Sequence, residues 1–480
     1  MQLDPRAMQP VGTVDPRFQS FNVEMVEVTG GRFWAPYAAI AAGADRYQER
    51  APIDLANPTL RRLAAALGPA YMRVSGTWAN KTDFVDTLQP RAAPPPGFEA
   101  VLTHERWRAA VDFAAATDAR IMTSVAVSRG TRDAGGVWQA ERARRFLAFD
   151  SSLGGHIAAL EFMNEPSAPA LADLPEGYDA EAYARDFAAF RAAVRETAPQ
   201  ALVFGPSSIG DRADAVPEEE GLLSARRLLE RTAGGLDGLS YHHYGAASRR
   251  CAGDGWWPQT RAEDALGAAW LDTTVASLGV YRALRDRYLP GKPLWLTETA
   301  DAVCGGNPWA ATFLDSFRYC DQLGRLAQGG VQVVMHNTLA ASDYGLLDES
   351  DFTPRPNYWA ALLWHRLMGR TVRDPAVRDP TVPPRPGLRV YAHDRADGAP
   401  GVTALLLNLD QAEAAEITLT SPAALYTLHA ATLRSRTVLL NAAPLRLTAA
   451  GEIPLLLPRP VSAGVVALPP ASLSFAVLEG

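Results

Sequence analysis

Two glutamates in this sequence sit where they could work as a pair. Glu165 follows the apolar run Phe162-Met163 and is preceded by Asn164 and followed by Pro166. Glu298 closes a second apolar run, Trp295-Leu296-Thr297, and is followed by Thr299. Two carboxyl groups facing each other across a cleft are the minimum equipment for breaking a glycosidic bond. One stays protonated and donates to the leaving oxygen; the other stays ionised and attacks the anomeric carbon. The second negative charge helps hold the first group neutral by raising its pKa. One carboxylate at the end of an apolar run says little in a chain that is 21% charged. A matched pair says more, set against the alternative of two capping or ion-paired glutamates.

Other residue types are weighed the same way. His242-His243 invites a metal reading, but neighbours on a strand point to opposite sides, so the pair does not chelate one ion. One of them supports the site and the other packs behind it; no metal and no cofactor is expected. His336 either faces the cleft or fills a layer beneath it. Three cysteines are too few for a disulfide scaffold and lack C-x-x-C spacing. Cys320 lies on a helical stripe and reads as a buried thiol. Cys251 and Cys304 fall in loops expected to be neighbours, so a disulfide bracing the site wall is expected if their Cα atoms come within about 7 Å. Trp34, Trp78 and Trp256-Trp257 are candidates for stacking on sugar or for pinning long loops, and the second is the preferred reading.

Something must bring these distant residues together. Eight short apolar runs alternate with helical patterns: Phe21–Val28, Tyr71–Val74, Arg120–Val127, Ile157–Met163, Leu202–Gly205, Leu239–Tyr244, Leu294–Thr297 and Val331–His336. Eightfold strand–helix alternation predicts an α/β fold, a (β/α)8 TIM barrel, whose polar strand ends line the active face. Asn57-Pro58 starts a helix that Gly68-Pro69 stops; Tyr183, Phe187, Phe190 and Val194 mark another, and Tyr358–Met368 the eighth. From residue 371 short β-like runs separated by Pro, Gly and Asp predict an all-β sandwich. The expected division is a barrel over 18–370 and a C-terminal β-sandwich domain over 371–480, with a strand from 1–17 as a candidate addition to the latter.

Composition sets the outer bounds. With 48% apolar residues the chain is of ordinary globular type, and no apolar run approaches the ~18 residues of a membrane span. A net charge of −7 argues against a nucleic-acid partner but permits a locally basic cleft for an acidic sugar polymer. The first residues lack a secretory pattern, which leaves two expectations open: a cytoplasmic protein, or one whose leader was removed.

Asn-Glu-Pro after the fourth candidate strand and Glu after the seventh resemble the clan A retaining glycosidases. More widely the sequence is similar to the heparanase family, glycoside hydrolase family 79, in a bacterial-type single-chain form. The resemblance is carried by Ala70-Tyr-Met-Arg-Val-Ser-Gly-Thr-Trp-Ala-Asn-Lys-Thr-Asp-Phe84, Ser240-Tyr-His-His-Tyr244, Lys292-Pro-Leu-Trp-Leu-Thr-Glu-Thr299 and Val331-Gln-Val-Val-Met335. Tyr344-Gly-Leu-Leu-Asp-Glu-Ser350, Pro356-Asn-Tyr-Trp359, Leu388-Arg-Val-Tyr391 and Ser472-Leu-Ser-Phe475 continue it, in order, to the C-terminus.

The resemblance implies Glu165 as acid/base and Glu298 as nucleophile, with Asn164 on the sugar 2-hydroxyl and Tyr244 orienting the nucleophile. It further implies Gly305 and Gly306 offering backbone N–H groups to a uronic carboxylate, with Tyr344, Thr77 and Glu24 completing that subsite. Arg249, beside Arg250, resembles the position that meets a sulfate or carboxylate beyond the cleaved bond. A solvated surface pair is the other reading, and Arg212 carries the same two. Some positions depart from animal heparanases: Ser167 replaces Asn, Glu24 replaces Asp, the loop before Gly305 is one residue longer, and His336-Asn337 replaces a more basic and amide pair. The linker excised from the animal proteins is absent. The implied activity is that of a retaining β-glucuronidase acting on internal bonds of heparan sulfate or a related glycosaminoglycan. The alternatives are exo action on small or terminal glucuronides, hyaluronan cleavage, or an inactive carbohydrate-binding protein.

Overall fold

The computed structural model describes residues 1–40, 45–85, 93–211, 223–254, 258–375 and 387–480. Eight strands close a parallel barrel in chain order: β1 Gln19–Asn22, β2 Ala70–Val74, β3 Ala119–Ser124, β4 Ile157–Glu161, β5 Leu202–Ser208, β6 Gly238–Tyr244, β7 Leu294–Ala300 and β8 Val333–His336. Helices cover its outside, and their starts follow local chemistry. Asn57 accepts from the N–H groups of Thr59 and Leu60 ahead of Pro58, and Asp179 caps Ala180–Thr197 through Ala182.

Side chains alternate in and out of the barrel wall. Tyr71, Met122, Phe204, Trp295 and Met335 fill the interior below the site, while Met72, Ile121, Leu160 and Leu296 face the helices. Two residues further along β2 and β4 the interior turns polar, at Arg73 and Glu161. This change of layer marks the floor of the site.

The first strand is shorter than its apolar pattern suggests. β1 stops at Asn22, and Met25–Thr29 is a helical turn rather than the strand expected through Val28. A reciprocal cap explains the switch: the Glu24 side chain accepts from the Glu27 N–H, and Glu27 Oε2 accepts from the Glu24 N–H at 2.7 Å. A hairpin of Gly31–Trp34 and Tyr47–Arg50 follows.

Beyond the helix Pro356–Leu367 the chain turns antiparallel. A nine-stranded sheet faces a three-stranded one among the described residues. Alternation again assigns the faces: Ala404 and Leu406 point between the sheets with Ile417, Leu468 and Leu478, whereas Leu405, Leu407 and Phe475 pack toward the barrel's helices. The chain's beginning joins these sheets. Gln2–Leu3 pairs with Ala415–Leu419, and Pro10–Thr13 with Met368–Arg373. Among the described residues no helix is long and apolar enough to cross a membrane.

Candidate active site

Arg73 organises the floor. Its guanidinium is buried and donates to Glu161 Oε2, Glu298 Oε2 and Asn164 Oδ1, each at 2.9 Å, and to His242 Nε2 at 3.2 Å. Burial works against this charge, but the carboxylates of Glu161 and Glu298 outweigh it and hold Arg73 above its ordinary range. Burial also opposes ionisation of Glu161, and Arg73 reverses that. Thr297 donates to Glu161 Oε1 at 2.8 Å.

Glu298 reaches the site because β7 carries one extra residue. The β6–β7 pairing runs Tyr241 with Leu296 and then His242 with Glu298, skipping Thr297. Strict alternation from the inward Trp295 would send Glu298 outward; the bulge turns it in. Its Oε1 accepts from Tyr244 Oη at 2.8 Å and its Oε2 from Arg73, which fixes the carboxylate plane.

Glu165 lies in the loop after β4 with φ of +47°, a left-handed conformation that costs a non-glycine residue about 1–2 kcal/mol. The turn around it is held from behind: the Asn80 side chain accepts from the Asn164 N–H and donates to its carbonyl, both at 2.9 Å. One Glu165 oxygen lies 2.9 Å from His242 Nδ1. Arginine can only donate, so His242 Nε2 accepts from Arg73 and the ring proton resides on Nδ1, which donates to Glu165 Oε1. Burial lowers His242 to about 4, so the ring is neutral near pH 7. Burial raises Glu165 to about 7. Its acidic proton therefore belongs on Oε2, the oxygen His242 does not occupy. One ligand-type atom each from Glu165, His242 and Glu298 lies within 4.8 Å of the others. A cation there would compete with the Arg73 guanidinium already bound to two of the three.

On the opposite wall, Asn337 Nδ2 lies 3.0 Å from Glu24 Oε1, 3.1 Å from Tyr244 Oη and 3.1 Å from Tyr344 Oη. Burial and then the charge of Glu298 push Glu24 well above the usual carboxylate range. Gly76, at φ of +91°, lets the chain pass this carboxyl: a Cβ there would lie 1.6 Å from Glu24 Oε2. His336 turns away from the cleft and meets the Tyr344 carbonyl at 2.8 Å. His243 lies on the outer side of β6, where its carbonyl accepts from Thr299.

The structure thus gathers Glu165, Glu298, Asn164, Tyr244, Glu24 and Tyr344 into one hydrogen-bonded cluster. Gly305 and Gly306 adjoin it, a Cβ on Gly306 falling 3.1 Å from the Tyr344 backbone. Thr77 is half-buried beside Gly76, and Arg249 is exposed. Arg212 and Trp256-Trp257 lie outside the described residues. Trp34 stacks on Tyr47 and meets Trp78 edge-on, in a loop-pinning arrangement. Cys251 and Cys304 are disulfide-bonded, their Cα atoms 6.4 Å apart, and Cys320 is a buried free thiol. Sequence reasoning assigned no role to Arg73, Glu161, Asn80 or Asn337. The first two carry a signal, each being the sole charged residue of an otherwise apolar strand.

No family model matches the sequence. The chain is 28% identical over 373 residues to heparanase-like protein 1 of Arabidopsis thaliana, covering 74% of this chain and 65% of that protein. It is 29% identical over 386 residues to the heparanase of Rattus norvegicus, covering 71% and 68%. The chain is a homologue of the heparanases. The alignments span about two thirds of those relatives' lengths. Inactive heparanase-2 of Homo sapiens is 30% identical over 239 residues, 45% of this chain and 40% of that protein. Among solved structures, a 4-O-α-L-rhamnosyl-β-D-glucuronidase from Fusarium oxysporum 12S matches with a TM-score of 0.66 at 13% identity, covering 100% of this chain and 99% of that one. An α-L-arabinofuranosidase from Thermotoga maritima matches with a TM-score of 0.66 at 14% identity over the same shares. These likenesses establish the heparanase homologue's fold, a (β/α)8 barrel with a β-sandwich. Homology and site geometry together support a heparanase-like glycosidase.

Proposed function

We propose that this heparanase homologue is a retaining β-glucuronidase acting on glucuronide bonds inside heparan sulfate or a related glycosaminoglycan. The observation that carries the mechanism is that one carboxyl oxygen of Glu165 and one of Glu298 lie within 4.8 Å of each other. Double displacement uses carboxyl groups about 5–5.5 Å apart, whereas inversion needs about 6.5–9.5 Å to admit a water. Glu298 attacks the anomeric carbon while Glu165 Oε2 gives its proton to the leaving oxygen. The His242 Nδ1–H then supports the Glu165 carboxylate, which activates water to release the sugar. Asn164, held by Arg73, meets the 2-hydroxyl. The uronate rests on Gly305, Gly306 and Tyr344, with Glu24 and Thr77 on neighbouring hydroxyls, and Arg249 reaches an anionic group beyond the bond.

A second reading, exo action on terminal glucuronides, is favoured by the strand pair Gly31–Trp34 and Tyr47–Arg50. Arg46 ties this segment to the Arg250 carbonyl at 3.2 Å and Gln48 ties it to Glu349 at 3.1 Å, fastening it to the loops after β6 and β8; a segment fixed there would restrict the site to chain ends. Digestion of heparan sulfate beside a small chromogenic glucuronide, with the products sized, separates the two. Glu298→Gln is expected to abolish turnover with an unchanged thermal melt, and an activated 2-fluoro-glucuronide to label Glu298 in the wild type. Undiminished hydrolysis by the variant sinks the assignment, whereas a wild type silent on both substrates leaves the inactive-binder reading standing.

A further inference from the structure

We propose that Arg250 is a positioning residue that makes this site select uronic acids, an inference that rests on the glucuronidase reading above. Its side chain is 1% exposed, out of a substrate's reach. It leaves the loop after β6 and binds three other loops at once. Nε and Nη2 donate to the Ala35 carbonyl at 3.0 and 2.6 Å, and Nη1 donates to the carbonyls of Cys304 and Gly306 at 3.1 and 2.9 Å. Nη2 also pairs with Asp343, and the Tyr37 ring covers the guanidinium at 3.9 Å.

The consequence follows from peptide geometry. In a trans peptide the C=O and the next residue's N–H point in opposite directions. Drawing the Cys304 carbonyl inward onto Arg250, with help from Ser248 Oγ at 2.9 Å, turns the Gly305 N–H outward. The Gly305 carbonyl is drawn inward by Ser342 Oγ at 2.9 Å and by the N–H of Asp343, Arg250's own partner, which turns out the Gly306 N–H. Cys304, Gly305 and Gly306 all have positive φ, and neither glycine N–H has a hydrogen-bond partner among the described residues. Two N–H groups turned out in this way form a seat for a carboxylate, whereas a neutral hydroxymethyl group gains little from them. Arg250 thus supports uronate recognition through geometry, from behind.

The test compares kcat/KM on 2,4-dinitrophenyl β-D-glucuronide and β-D-glucoside, the activated leaving group keeping the neutral substrate measurable. Arg250→Lys and Arg250→Gln are expected to lose about 100-fold on the glucuronide, mainly through KM, and less than about threefold on the glucoside. Equal losses on both substrates would show a general scaffold role and overturn the proposal. So would wild-type selectivity in Arg250→Lys, which keeps the charge but not the fork. If the Arg250 variants do not fold, Ser248→Ala carries the test, because it removes the other side-chain donor that draws the Cys304 carbonyl inward; an unshifted substrate ratio there overturns the proposal, and a selective loss supports it. A wild type inactive on the glucuronide but active on the glucoside fails the underlying reading instead.

Discussion

In the proposed mechanism Glu165 holds a proton in one step and removes one in the next, and its surroundings suit both needs. Burial pushes its carboxyl up to about 7, while Arg73 and the Asn164 side chain pull the other way. Loss of that proton removes the general acid, so kcat/KM is expected to fall as pH rises through about 7. A pH–rate profile of the wild type checks this. Glu165→Gln is expected to lose that basic limb and to slow glucuronides with poor leaving groups at least about 100-fold, sparing glucuronyl-enzyme formation from activated ones. Glu165 and Glu298 were legible in the sequence because each closes an apolar run. Arg73 and Glu161 left only the trace of a lone charge in an apolar strand, and Asn337 left none, because a charged residue inside a strand and an amide just beyond one have no purpose until the barrel closes around them. Position 298 itself was legible only by type: alternation alone sends its side chain to the wrong face, and the bulge at Thr297 corrects it.

Among elements, the loops define the site more than the strands do. The strand–helix alternation was readable because period and punctuation repeat eight times. The end of β1 was not, because Phe21, Val23, Met25 and Val28 continue an apolar pattern that the Glu24–Glu27 cap interrupts. The Cys251–Cys304 bond joins the loops after β6 and β7 at a sequence separation of 53. Chain-entropy reasoning assigns a bridge of that span about 4 kcal/mol. Replacing both cysteines with alanine, or adding a reductant, is expected to lower the melting temperature, with a loss of glucuronide kcat/KM exceeding the loss on the neutral glucoside. Differential scanning calorimetry and paired kinetics read the two effects; an unchanged melt would mean that Arg250 and Ser248 already hold these loops unaided.

At the scale of the whole molecule, barrel and sandwich share one packed seam. The Tyr391 ring lies against Gly324 on the helix Phe313–Gln328, and a Cβ at 324 would fall 2.2–2.4 Å from the ring carbons. Tyr391 Oη also donates to Asp321 one turn earlier. Gly324→Ala would gain up to about 1 kcal/mol of helix propensity. Forcing the ring aside is expected to outweigh that and destabilise the protein by about 1–3 kcal/mol net, measured by denaturant unfolding. A more stable variant would show that the seam is loose.

Synthesis meets this architecture in an awkward order. Gln2–Leu3 and Pro10–Thr13 are made before any barrel strand, yet their pairing partners, Ala415–Leu419 and Met368–Arg373, are made only after all eight. The barrel can close around β1 while these leading strands wait unpaired, so completion of the second body is a late event, exposed to chaperones and to premature termination alike.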